Sequence, residues 1–193
     1  MKSTSFLFAA CAALLLAGCT REAAVPAAAP ALATPFKPVA SIIDLMSEQV
    51  DPAADFLWES VATVSGPKGT EEKQPRTDAE WQAVRRQALL LIEGANLLMM
   101  DGRVVAHPGQ KLEGAPGPGD YTPDQALAEI TAHRAEFNAF ALGLLNAGNE
   151  ALQAVEARNV EAFLEAGGTI DEACEGCHKR FWYPGGGAPP PGK

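Results

Sequence analysis

Near the C-terminal end of the 193-residue chain, Cys174, Glu175, Gly176, Cys177 and His178 place two thiols and an imidazole within five positions. On a helix, residues three and four apart share a face, so Cys174, Cys177 and His178 would project together. Two sulfurs can form thioethers with the vinyl groups of a haem, and the adjacent imidazole can reach its iron from directly beneath the ring. That is the chemistry of c-type haem attachment. Three other chemistries use two thiols at this spacing. A tetrahedral zinc site needs a fourth ligand, and the other two histidines, His107 and His133, are distant in sequence. A redox dithiol of the thioredoxin kind expects a βαβ context, and no strand pattern stands nearby. A structural disulfide is the third.

The elements that must position these groups read as helices. The middle of the chain is rich in Ala, Leu and Glu with few β-branched runs, which favours an all-helical core and one domain. Ser41 and Asp44 form a capping pair for a first helix with a stripe of Ile43, Met46, Val50, Leu57, Val61 and Val64. Pro52 interrupts that stripe, predicting one kinked helix or two short ones before Gly66. Residues 66 to 76 read as a polar loop. Thr77 and Glu80 open a second helix whose apolar face runs through Trp81, Val84, Ala88, Leu91, Ile92, Ala95, Leu98 and Met99 and which ends at Asp101 and Gly102. Residues 101 to 121 carry too many prolines and glycines for a regular element. Thr122, Pro123 and Gln125 cap a long third helix reaching about Ala157. Asn159 caps a fourth, with Phe163, Gly167, Ile170, Cys174, Cys177 and Phe181 on its stripe and a break expected at Gly167 to Thr169. Pro184 stops it.

The two ends read differently. Lys2 and the apolar run Phe6 to Ala17 form an export signal over residues 1–18, too short to span a bilayer as a mature helix. Leu16, Ala17, Gly18 and Cys19 resemble the lipobox of bacterial lipoproteins, which implies lipidation of Cys19 and a stable membrane anchor. Thr20 after that cysteine implies the outer membrane rather than the inner one. An Ala/Pro-rich tether follows to residue 38, the helical domain occupies 39–183, and 184–193 is a Gly/Pro-rich tail expected to be disordered. Cys11 would leave with the signal, so lipid and haem account for every remaining cysteine. The formal net charge of −9 argues against nucleic acid as a partner and suits a basic redox partner. No nucleophile and base pair, phosphate loop or catalytic carboxylate pair stands out, so an enzyme is not expected.

Four antiparallel amphipathic helices with Cys174, Cys177 and His178 late in the last one resemble the class II c-type cytochromes, the cytochrome c′ family, over about Val39 to Tyr183. The resemblance implies an antiparallel four-helix bundle with one covalent haem c near the C-terminal end of its last helix. It also implies His178 as proximal iron ligand, haem attachment outside the cytoplasm in the periplasm, one-electron transfer to a partner protein, and a homodimer. In an up-down-up-down bundle the end of the fourth helix lies beside the start of the first and the junction of second and third. Three methionines sit there, and Met46 occupies the place of the family's distal residue. A methionine there implies low-spin electron transfer. An apolar Ile43 or Leu45 in that role implies a five-coordinate iron that binds small gases such as nitric oxide or carbon monoxide. His133 or His107 would give a bis-histidine site. Met99 fits the packing face of the second helix and Met100 precedes a turn. Phe137, Phe140, Phe163, Phe181 and Trp81 are candidates for packing on the haem. Family members often carry a basic residue four positions after the haem histidine, where this chain has Trp182.

Overall fold

A computed structural model describes residues 36–67, 69–110 and 119–184. The expected signal, lipidated Cys19, tether to residue 35 and tail from 185 lie outside the described residues. Among those described, the chain is mostly helical with one small two-stranded sheet, and no helix is long and apolar enough to cross a membrane.

Helix starts fall where the side chains can satisfy the free N–H groups of a first turn. The Asp44 N–H donates to Ser41 Oγ at 3.0 Å and the Ser41 N–H to the Asp44 carboxylate at 2.8 Å, opening α1 (Ile42–Leu45). A π-helical turn, Met46–Val50, follows directly, and α2 (Asp51–Ser60) continues from it with helical dihedrals throughout the joins. The Asp51 N–H donates to the Met46 carbonyl, the wider i to i+5 bond of a π turn. Pro52 explains the widening. It has no N–H to offer the preceding turn and its ring crowds that turn's carbonyls, so one extra residue is taken up instead of a kink or a break.

The first helix stops at Ser60, earlier than expected. Val61 is extended, and β1 (Ala62–Gly66) pairs antiparallel with β2 (Gly69–Lys73), Ala62 opposite Lys73 and Gly66 opposite Gly69. Val64, expected on the helical stripe, is 56% exposed on this hairpin. The strand propensity of Val61, Thr63 and Val64, and pairing with a strand that starts at Gly69, whose φ is +116°, override the helical spacing.

The second capping box opens α3 (Asp78–Leu98) as expected, with the Glu80 N–H on Thr77 Oγ1 at 3.2 Å and the Thr77 N–H on Glu80 at 2.8 Å. Its buried face matches the expected stripe, Met99 excepted, which is half-buried. The third expected helix is divided into α4 (Pro123–Ala132) and α5 (Arg134–Glu156) at His133, where φ is −121° and ψ 39°. Neither Gly nor Pro marks that break. The last element, α6 (Val160–Phe181), runs unbroken through Gly167 and Gly168. The Trp58 indole N–H donates to the Gly167 carbonyl at 2.9 Å, and a side chain at 167 would meet that ring at 3.3 Å. This tertiary contact offsets the roughly 1 kcal/mol that glycine costs inside a helix.

The core has two parts. One joins Leu57, Val84, Ala88, Leu91, Ala147, Phe163 and Ile170 among α2, α3, α5 and α6. Close approach defines it: a Cβ on Gly94 would lie 2.8 Å from Val50, and one on Gly148 would lie 2.8 Å from Ile92. The other joins Ile42, Leu98, Ala126, Ile130, Phe137 and Phe181. The segment after α3 closes that end, since the Ile42 and Ile43 N–H groups donate to the Val104 and Val105 carbonyls at 2.9 and 3.1 Å. Arg103, 6% exposed, braces it by donating to the carbonyls of Leu97 and Ala40.

Candidate functional site

The last turns of α6 form a wall that carries Cys174, packed against the first core, Cys177, packed against the second, and His178. Both thiols are free and half-buried. Burial, joined at Cys174 by the field of the Asp51 carboxylate, pushes each up to about 12. Such thiols are protonated at neutral pH, which is opposite to the low-pKa thiolate of a redox dithiol. The His178 imidazole is driven toward its neutral form by burial, with Glu175 opposing weakly, and a neutral ring is the form that ligates a metal.

Two apolar cavities open against this wall. One, of about 40 Å³, is bounded by Ile42, Ile43, Ala126, Ile130, Phe181 and Trp182. The other, of about 20 Å³, is bounded by Val50, Asp51, Phe140, Leu144, Ala173 and Cys174. Met46, Phe137, Cys177 and His178 line both. The π turn at the start of the chain's first helical run therefore presents a thioether to the same space as the imidazole and thiols at its end. Two thiols three apart, an imidazole next to them, a methionine on a facing helix and apolar walls fit a haem held by thioethers and by axial His and Met.

The other candidates are placed elsewhere. His107 Nε2 lies 3.0 Å from the Val39 carbonyl and 3.5 Å from Asp44, and His133 sits at the α4–α5 junction beside Glu129 and Glu136. Neither lines either cavity. Met99 packs at the edge of the second core, and the Met100 sulfur accepts from Arg103 at 3.7 Å. Ile43 lines the larger cavity and Leu45 lines neither. Phe137, Phe140 and Phe181 are cavity walls, but Trp81 and Phe163 belong to the first core. Among the described residues, no group of three or more His, Cys, Asp or Glu side chains could hold a metal ion, so a zinc site there lacks its ligand set.

Sequence reasoning missed three contributors. Tyr121 and Val105 line the larger cavity from the breaker-rich segment, where no periodicity marks them. Tyr183 packs against His178 at 5.9 Å between ring centroids, alongside Trp182 at 5.5 Å. The Pro184 stop signal, by forcing the chain out of the helix, is the only hint of that return. Comparison of the chain with models of protein families, with curated proteins and with solved structures finds no match.

Proposed function

We propose that this chain is a cytochrome c′-like electron carrier: an antiparallel four-helix bundle holding one covalent haem c through Cys174 and Cys177, with His178 as proximal and Met46 as distal iron ligand. The carrying observation is that Met46, Cys177 and His178, from opposite ends of the chain, line the same two apolar cavities. In this reading α1 to α2 form the first helix, α3 the second, α4 with α5 the third and α6 the fourth.

When bound, the haem supplies a one-electron iron couple. The chain's own residues do the rest. Cys174 and Cys177 would hold the group covalently as two thioethers, each S–H adding across one vinyl double bond with sulfur on one carbon and hydrogen on the other. His178, kept neutral by burial, offers a ring nitrogen, and Met46 offers a neutral thioether, a pairing that raises the potential relative to two histidines. Phe137, Phe140 and Phe181 exclude water from the same walls. Anchored at Cys19 after export and tethered to about residue 38, the domain would exchange electrons in the periplasm, at the outer membrane, with a basic partner protein. A homodimer is the assembly the resemblance suggests.

A second reading is a five-coordinate gas-binding protein. The position of Ile43 on the larger cavity beside Met46 and His178 favours it. The optical spectrum of the haem-loaded chain, compared with Met46→Ala, separates the two. Electron transfer expects a low-spin spectrum with a methionine-to-iron charge-transfer band that the substitution abolishes. A high-spin spectrum, unchanged in the variant and shifted by carbon monoxide, would replace Met46 by Ile43 and the carrier by a gas binder.

A further inference from the structure

We propose that Trp182 and Tyr183 are positioning residues that hold the His178 imidazole in one orientation toward the cavities, with Glu175 acting through Tyr183. The inference rests on the haem reading only for what that ring faces.

A histidine ring needs such help. Rotation of the imidazole about its Cβ–Cγ bond is a broad torsion with no sharp staggered wells, so rotamer preference alone leaves the ring plane loose. Packing must fix it. The Trp182 and Tyr183 rings both meet the His178 ring with planes inclined at 61°, at 5.5 and 5.9 Å between centroids. Inclined edge-to-face contacts are the arrangement aromatic quadrupoles favour.

The backbone makes this enclosure. On a continuing helix the residue five beyond His178 would lie off its face. Here α6 ends at Phe181, and the Trp182 and Tyr183 N–H groups both donate to the His178 carbonyl, at 2.8 and 2.9 Å. Pro184 disfavours helical backbone at Tyr183, so the chain turns back and folds the phenol over the imidazole. Both residues are then held in place. The Tyr183 hydroxyl donates to the Glu175 carboxylate, which the Lys179 ammonium also holds at 2.9 Å. The Tyr121 N–H donates to the Trp182 carbonyl at 2.8 Å, tying the Trp182 backbone to the segment that opens α4.

The test uses the full chain expressed with covalent haem attachment. Ferric electron paramagnetic resonance should give one low-spin species in the parent and in Trp182→Phe. Trp182→Ala should give a second or broadened species at unchanged haem content, together with a shifted midpoint potential. Tyr183→Phe and Glu175→Ala should give the same, smaller change as each other, and combining them should add nothing. A single unaltered signal and potential in Trp182→Ala would overturn the proposal. Should the parent carry no haem, the haem reading fails and the clamp is read in the haem-free chain. There, nuclear Overhauser contacts from the His178 ring to both Trp182 and Tyr183, with ring averaging in Trp182→Ala, support it, and their absence overturns it.

Discussion

The two cores share α3, α5 and α6 but are filled with side chains of different size. Where α3, α5 and α6 meet, Ala88, Ala95, Ala147 and Ala151 are at most 1% exposed, and Gly94 and Gly148 let neighbouring side chains approach the backbone. Small residues allow helices to close until they touch. At the other end, Ile42, Ile130, Phe137 and Phe181 border cavities of about 40 and 20 Å³. Large side chains there stand apart around space. A gap lined by apolar groups forfeits dispersion contacts and destabilises in proportion to its volume, by about 24 cal/mol per Å³ in a well-studied series. A chain that can pack Ala against Ala at one end has no packing reason to leave such gaps at the other. The difference teaches that rigidity is built at the Ala-rich end and room for a ligand at the Cys174–His178 end.

The largest effect should come from removing what fills that room. Cys174→Ser with Cys177→Ser should abolish covalent haem, read as loss of haem-linked mass on the denatured chain. Far-ultraviolet circular dichroism should stay helical, because Cys174 only borders the Ala-rich core and serine is close to it in size. Covalent haem surviving the double substitution would remove the chemical basis of the comparison.

Next in size is a pair of matched truncations. Phe163→Ala, in the Ala-rich core, should cost about 3 to 5 kcal/mol in urea unfolding, the usual loss for a buried phenylalanine, and leave the visible spectrum unchanged. Phe137 borders both cavities and meets the Phe181 ring edge-on at 5.4 Å. Phe137→Ala enlarges existing space, so it should cost less and should move the spectrum of the haem-loaded chain. Equal losses and two unchanged spectra would show that the two cores do not differ in role.

The same contrast separates what could be read from the sequence from what could not. Side chains that act within one turn were legible: Ser41 with Asp44, Thr77 with Glu80, Thr122 with Gln125 and Asn159 all cap helices where their spacing places them. So was the common face of Cys174, Cys177 and His178. Features decided by two neighbouring interactions in competition were not. The Val61 to Val64 segment satisfies helical spacing and strand propensity at once, and only pairing with Gly69 to Lys73 decides between them. Pro52 signalled an interruption, yet a π turn absorbs it. Gly167 and Gly168 signalled a break, yet the Trp58 contact carries the helix through. Convergence of Met46 on His178 was legible only through the family resemblance, because no local rule links a first helix to a last one.

The smallest effect sharpens the comparison at the Ala-rich end, where Glu80 anchors the start of α3. Its carboxyl is held below the usual carboxylate range, first by the backbone N–H of Arg76, then by the N–H and hydroxyl of Thr77, against a smaller opposing effect of burial. A carboxyl whose folded value is depressed releases its proton more readily in the folded chain than in the unfolded one. Its contribution is therefore fully present above the unfolded value near 4.5 and fades as pH falls through the lower folded value. Glu80→Gln keeps an oxygen that can accept from Thr77 but removes the charge near the positive end of the helix. The variant should be slightly less stable than the parent at neutral pH, with the gap narrowing in acid until the two unfolding curves coincide. The haem spectrum should not respond at any pH. A gap independent of pH would mean that the box acts through its hydrogen bonds alone, and a spectral change would mean that the two ends are coupled through α3.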